Sequence, residues 1–255
     1  MTIAIISDIH GNLPALEAVL ADLGKRPHDA TYCLGDLVGY GAFPNEVVED
    51  IRSQRIPTIM GNYDDGVGFD RDDCGCAYRD EGEKSRGQKS LMWTRARTSD
   101  GNKAFLRELV PEIRFQVGEK RVLLVHGSPR KMNEYLFEDR PDSSFQRLAA
   151  SSNADLIVFG HTHKPYVKEI DGVHFVNAGS VGKPKDGDWR GCYVLLTPGA
   201  VAPAEFIRVE YDIERAMAAI RNTGLPLEFA DDLRQSGQHA QQEVDNDDAD
   251  YSKSE

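Results

Sequence analysis

Five times in the first two thirds of the chain, an apolar run breaks off into a short cluster of Asp, His, Asn and Gly. Residues 2–7 lead into Asp8-Ile9-His10-Gly11-Asn12, and residues 30–34 into Gly35-Asp36-Leu37-Val38-Gly39-Tyr40-Gly41. Residues 56–60 lead into Gly61-Asn62-Tyr63-Asp64. Later come Val125-His126-Gly127-Ser128-Pro129 and Gly160-His161-Thr162-His163. Ends of strands are where α/β folds gather ligand groups. Taken singly each cluster is weak: Gly-Asp is most often a turn, and a lone buried histidine is more often structural than a ligand. Five of them, each just past an apolar run, are hard to explain as turns alone.

The runs between the clusters alternate in character. Residues 2–7 form a β-branched run, and Leu13, Leu16, Val19, Leu20 and Leu23 then recur at helical spacing over 12–23. Asn12 is placed to cap that helix, with Pro14 in its first turn. The unit repeats as strand 30–34, helix 43–53 and strand 56–60, which predicts an α/β sheet with parallel crossovers. Residues 61–101 interrupt the rhythm with a glycine-punctuated acidic stretch and a helix over 84–97, and a second helix follows over 102–109. From residue 112 the pattern turns to strands: 112–117, 121–125, 156–159, 166–170, 173–176, 192–196 and 205–209. Asp171-Gly172 reads as a two-residue hairpin turn. Helices are expected over 143–152, 213–221 and 227–235. Many strands with helices at both ends of the chain imply two sheets packed face to face and flanked by helices.

The chain has 255 residues and a formal charge of −12, and its four cysteines are too few for a disulfide scaffold. No apolar stretch is long enough to cross a bilayer, and no basic flank opens a signal sequence, so a cytoplasmic protein is expected. No basic stripe appears, which disfavours a long nucleic acid as partner. Six carboxylates against one lysine fall within 237–255, a segment without apolar periodicity that reads as a disordered acidic tail. The expected organisation is one domain over 1–236, with 64–101 as a cap-like insertion, followed by that tail.

The series Asp-x-His, Gly-Asp, Gly-Asn-x-Asp, His-Gly and Gly-His-x-His resembles that of the calcineurin-like metallophosphoesterases, from Thr2 to about Gly182. Asp8-Ile9-His10-Gly11-Asn12-Leu13 and the glycine-rich stretch at 35–41 resemble the compact bacterial and archaeal phosphodiesterase branch, YfcE-like in broad terms. The resemblance implies an α/β fold built as a four-layer αββα sandwich of two mixed β-sheets flanked by helices. It also implies two divalent metal ions, about 3.5–4 Å apart as in other two-metal hydrolytic sites. Asp8, His10, Asp36 and His163 would hold the first; Asp36, Asn62, His126 and His161 would hold the second, with Asp36 as the bridge. Carboxylate, amide and imidazole donors suit Mn²⁺, Fe or Zn²⁺ over a soft all-thiolate metal without choosing among them; Mn²⁺ is the expectation, with Fe, Zn²⁺, Ni²⁺ or Mg²⁺ as alternatives. The implied activity is that of a metal-dependent phosphoric ester hydrolase, a hydroxide between the ions attacking a small phosphoester or nucleotide in line.

The catalytic set carried over is Asn62, Tyr63 and Asp64. Asn62 would ligate a metal and also donate an N–H to a phosphoryl oxygen. The family commonly has a histidine after the Gly-Asn pair, supported by the next Asp, to protonate the leaving oxygen. This chain has Tyr63 there, a poorer acid than imidazolium. That favours phosphodiesters, or esters with acidic leaving groups, over monoesters of poor leaving groups; the alternative for Tyr63 is an aromatic that only packs. Arg130 and Lys164, beside ligand motifs, are the substrate-binding candidates, and Arg71, Arg79, Lys84 and Arg86 are further cations that could reach a phosphate. Cys74-Gly75-Cys76 lacks the ligands of a zinc site and reads as structural. Asn177-Ala178-Gly179-Ser180 reads as support beside the metal loops. The competing functions are a phosphomonoesterase or protein phosphatase of the same fold, and a non-catalytic phosphoesterase-like scaffold. Retention of every ligand type argues against the scaffold.

Overall fold

The structure, a computed structural model, describes residues 1–78 and 80–236; Arg79 and the acidic segment 237–255, on which two of the sequence expectations fall, lie outside the described residues. The first sheet is built from β1 (Ile3–Ile6), β2 (Ala30–Cys33), β8 (Gly191–Leu196) and β9 (Ala204–Val209), in the order β2-β1-β8-β9. The second contains β3 (Glu112–Val117), β4 (Lys120–Val125), β5 (Leu156–Phe159), β6 (Tyr166–Ile170) and β7 (Val173–Asn177), in the order β3-β4-β5-β7-β6. Both are mixed: β1 runs parallel to β2 and antiparallel to β8, while β5 runs parallel to β4 and β7, with antiparallel hairpins at the edges.

Side-chain alternation along the strands explains the layering. Ile3 and Ile5 of β1 face Val122, Leu124, Leu156, Val158 and Val176 of the second sheet in one buried cluster. Ala4 and Ile6 point the other way, into a cluster with Leu16 and Val19 of α1 (Leu13–Leu23) and Val47, Val48 and Ile51 of α2 (Pro44–Ser53). On the far side, Leu123, Ile157, Phe159 and Phe175 pack on Phe145 and Leu148 of α6 (Asp142–Ser152). The result is helix, sheet, sheet, helix, as expected.

The remaining helices are α3 (Asn62–Gly68), α4 (Glu81–Arg97), α5 (Asp100–Glu108), α7 (Ile213–Arg221) and α8 (Glu228–Gln235). Two local expectations need correction. Residues 56–60 form no strand of either sheet; they make only bridges, Cys33 with Thr58 and Ile59 with Val110. Pro57 has no N–H to give to a ladder, so pairing there stays intermittent. The short helix α3 begins directly after Gly61, where the sequence showed only punctuation. Its two glycines hide the helical pattern, and it is fixed instead by backbone capping: Asp64 Oδ2 accepts the Gly61 N–H at 3.0 Å. At the other turn, Asp171 and Gly172 adopt φ of 51° and 78°, the left-handed pair that a two-residue hairpin requires.

Candidate metal centre

The five clusters converge at one end of the sandwich. Asp8 and His10 follow β1, Asp36 follows β2, Asn62 opens α3, His126 follows β4, and His161 and His163 follow β5. All seven side chains are buried. The loops that deliver them are not relaxed: Asp8, His10, Asp36, His161 and His163 all have positive φ, between 51° and 65°. Non-glycine residues rarely occupy this region, and such clustering marks a place where the backbone is held for function.

Two ligand groups form within this set. Asp8, His10 and His163 bring one donor atom each within 4.8 Å of one another, and so do Asp36, His126 and His161. Asp36 joins them, for its Oδ2 lies 3.6 Å from His10 Nε2 and 3.4 Å from His126 Nε2. Its other oxygen, Oδ1, is occupied by the Tyr63 N–H at 2.8 Å. Asn62 joins the second group through Oδ1, 3.1 Å from His126 Nε2.

Whether these atoms suit metal ions is decided by where their hydrogens go. Nδ1 of His10 donates to Val38 O at 3.0 Å, that of His126 to Leu34 O at 2.8 Å, and that of His163 to Lys183 O at 2.5 Å. Each ring therefore points Nε2 inward with a lone pair, the tautomer that a metal ligand needs. Asn62 donates its amide hydrogens to Cys74 O and Cys76 Sγ, leaving only its oxygen for the site. That commitment replaces the expected N–H toward a phosphoryl oxygen. Among the described residues, Asp8 Oδ1 and His161 Nε2 are buried with no hydrogen-bond partner. A buried cluster of carboxylate, amide and imidazole acceptors this short of hydrogens fits cations.

The electrostatics agree. Burial disfavours the charged forms of Asp8 and Asp36, yet the surrounding imidazoles hold both carboxyls below the usual range. Burial drives His10 and His161 down to about 3 and lowers His163. His126 also loses solvation, but the carboxylates of Asp36 and Asp8 outweigh that and lift it to about 10. In the protein alone a proton on His126 Nε2 offsets part of the negative charge, and a divalent ion would take that proton's place.

Support comes from groups around the ligands. Asp8 Oδ2 accepts the Ser7 hydroxyl at 2.6 Å and the His161 N–H at 3.0 Å. Ser180 donates to Asp8 O at 2.7 Å, and Asn177 donates to Gly160 O at 2.8 Å and Thr162 Oγ1 at 2.9 Å, so the 177–180 segment does brace the metal loops. Gly61 is required at its position: a Cβ there would collide with the Asp36 carboxylate and backbone N. Asp64, expected to support residue 63, instead accepts the N–H groups of Asp36 at 2.7 Å and Leu37 at 2.9 Å.

The other predicted residues fall differently. Tyr63 is 1% exposed, with its ring 5.5 Å from that of His10 and 4.7 Å from that of Tyr40, and among the described residues its hydroxyl finds no hydrogen-bond partner of regular geometry. Arg130 is bound to Glu134, and Arg71 to Asp65 at 2.5 Å. Lys84 reaches Glu81 on its own helix. Lys164 and Arg86 line a pocket beside the site. Sequence reasoning missed Lys183 and Lys185, which enter from the loop after Gly182, and Tyr135, whose ring lies 4.1 Å from that of His161. It also missed the link from Asn62 to the cysteines. None of these stands in a recognisable motif; the Lys-Pro-Lys run two residues after the 177–180 support segment was the one available hint.

An αββα sandwich with two buried Asp/His clusters sharing one aspartate defines a metallophosphoesterase. Residues 1–199 match the calcineurin-like phosphoesterase superfamily domain, and the chain belongs to that superfamily. It is 36% identical over 241 residues to the uncharacterized protein MJ0912 of Methanocaldococcus jannaschii, covering 88% of this chain and 93% of that one. Among solved structures, a metallophosphoesterase from Sphaerobacter thermophilus is 32% identical with a TM-score of 0.72, over 92% of this chain and 99% of its own. Phosphodiesterase YfcE of Escherichia coli is 24% identical over 74% of this chain and 83% of its own, in keeping with the YfcE-like branch. No helix among the described residues is long and apolar enough to cross a membrane.

Proposed function

We propose that the chain is a two-metal phosphodiesterase acting on a small phosphodiester or nucleotide. One observation carries this reading: two buried Asp/His clusters meet at Asp36 Oδ2, and among the described residues Asp8 Oδ1 and His161 Nε2 within them have no hydrogen-bond partner. Asp8, His10, Asp36 and His163 would hold one ion, and Asp36, Asn62, His126 and His161 the other. Such ions, Mn²⁺ being the first to try, supply Lewis acidity toward phosphoryl oxygens and a water acidic enough to ionise near neutral pH.

The protein's own contribution is positional. Backbone carbonyls fix three imidazole tautomers, the cysteine segment turns the Asn62 oxygen inward, and Asp64 holds the Asp36 loop through main-chain amides. The preference for diesters follows from Tyr63. A buried phenol, pushed by desolvation well above its ordinary pKa, gives up a proton less readily than the imidazolium it replaces. Substrates whose leaving oxygen needs little protonation are then favoured. In the same reading, 1–236 is one domain, helix α4 of the 64–101 insertion forms one wall above the site, Lys164 contacts substrate, and the enzyme works in the cytoplasm.

The test is a comparison of bis(p-nitrophenyl) phosphate with p-nitrophenyl phosphate in one Mn²⁺ assay. Diester turnover should exceed monoester turnover at matched leaving group. The reverse order would replace this reading with a phosphomonoesterase.

A further inference from the structure

Beside the metal centre lies a pocket of about 280 Å³ whose walls are of two kinds. Tyr40, Tyr78, Tyr135, Phe137 and Phe229 supply aromatic surface; Arg86, Lys164, Lys183 and Lys185 supply four cations against the carboxylates Glu83 and Asp232. In a chain of net charge −12 this local excess of positive charge is a construction, not a background. Lys183 is committed, for its Nζ meets Asp232 at 3.2 Å and lies over the Tyr40 ring at 5.0 Å. Arg86, Lys164 and Lys185 form no ion pair among the described residues. Phe137 is 37% exposed at the rim, stacked on Tyr135 at 5.8 Å.

Residues of the pocket wall pack directly on two of the metal ligands. Tyr135 packs on His161, the Lys183 carbonyl accepts from His163 Nδ1, and the Lys185 N–H donates to His163 O at 3.2 Å. A group held in this pocket therefore sits next to a phosphoryl group held at the metals. Flat aromatic walls match a nucleobase, which stacks through its π-face. Unpaired Arg and Lys side chains match phosphate oxygens.

We propose that the pocket is the subsite for the leaving half of the substrate, and that this half is a nucleoside carrying at least one phosphate besides the one attacked. This rests on the phosphoesterase reading above. In the reaction one water is consumed: its oxygen bonds to phosphorus, the P–O bond to the nucleoside half breaks, and its protons go to the leaving oxygen and to solvent.

The experiment measures binding apart from turnover. Adenosine, AMP, ADP and inorganic pyrophosphate are titrated calorimetrically into the Mn²⁺-loaded full chain, the Phe137→Ala variant and the Arg86→Gln/Lys164→Gln double variant. The expected order is ADP tighter than AMP and AMP tighter than adenosine, with ADP at least tenfold tighter than pyrophosphate. The double variant should lose about tenfold for ADP and little for adenosine; Phe137→Ala should lose affinity for both nucleotides and none for pyrophosphate. Pyrophosphate binding as well as ADP, or both variants binding ADP like the parent, would overturn the proposal. Hydrolysis of bis(p-nitrophenyl) phosphate is read in parallel. Its absence with every metal removes the enzymatic reading and with it the leaving-group role, whereas turnover combined with a failed ADP titration removes the subsite alone.

Discussion

Nε2 of His10 faces Nε2 of His163 across 3.1 Å, although each ring has spent its hydrogen on a backbone carbonyl. Two lone pairs at that distance repel unless a proton or a cation lies between them. Burial makes the proton expensive, since it lowers the pKa of both rings. The cation is the solution consistent with every neighbour, including the unpartnered Asp8 Oδ1, 3.3 Å from His163 Nε2.

Metal removal should therefore cost stability as well as activity. An ion held at a hundred times its dissociation constant stabilises the folded state by about 2.7 kcal/mol. Two such sites predict a drop in Tm of several degrees on treatment with a chelator, restored by Mn²⁺ in scanning calorimetry. A Tm indifferent to chelator and to added Mn²⁺ would show that these acceptors are not a metal site.

Asp64 tests the scaffold behind the ligands. Its carboxylate gathers three main-chain N–H groups, those of Gly61, Asp36 and Leu37, and so sets the turn on which the bridging aspartate stands. In Asp64→Asn an amide NH₂ would face at least one of those N–H groups. Leaving buried donors unmatched costs about 1–3 kcal/mol each. We expect a lower Tm and fewer than two Mn²⁺ bound per chain by elemental analysis after dialysis. Full metal content at unchanged Tm would reduce Asp64 to a spectator.

Cys76 supplies a narrower test. Its Sγ accepts from Asn62 Nδ2 at 3.2 Å and lies 3.0 Å from Cys74 Sγ, so the pair anchors the amide whose oxygen faces the second metal group. Groups that orient a metal ligand typically matter by about tenfold in affinity or rate. Cys76→Ala should weaken Mn²⁺ binding at one site by about that factor and spare the other. Two equally affected sites in a metal titration would contradict the assignment.

Tyr63→Phe separates proton donation from packing. The hydroxyl is buried without a regular partner, so removing it should leave stability within about 0.5 kcal/mol. Turnover of an aryl phosphodiester, which needs little leaving-group protonation, should stay within about twofold. A loss of a hundredfold, confined to substrates with alkoxide leaving groups, would restore Tyr63 as the acid.

What the sequence could show followed periodicity and contiguity. Ile3–Ile6 and Leu156–Phe159 read as strands because short apolar runs met turn residues, and each ligand stood in the same few positions after such a run. α3 was illegible, since a capping interaction between Gly61 and Asp64 outweighs two glycines only once the chain is folded. The pocket was equally hidden. Arg86, Tyr135, Lys164 and Lys185 come from four separate segments, and no local pattern records that the fold brings them to one pocket. Arg130 shows the converse hazard: it directly follows the His126-Gly127-Ser128-Pro129 motif in sequence, yet its guanidinium is turned onto Glu134.

That Glu134 cluster gives a pH dependence with a definite sign. Glu134 accepts from Ser128 at 2.5 Å, from Arg130 Nε at 3.2 Å and from Arg140 at 2.8 Å. Burial alone would raise its pKa, but these partners outweigh it and bring the carboxyl from 4.5 down to about 2. A carboxylate depressed on folding stabilises the folded state fully above its unfolded pKa, and that contribution vanishes as pH falls through the folded value. The shift alone would correspond to about 3 kcal/mol, but both arginines are more than a third exposed and solvent screening reduces this to about 1–2 kcal/mol. Glu134→Gln should accordingly lower the urea midpoint at pH 7, and the gap from the parent should narrow steadily between pH 4.5 and pH 2. A gap constant across that window would mean that Glu134 contributes by hydrogen-bond geometry and not by its charge.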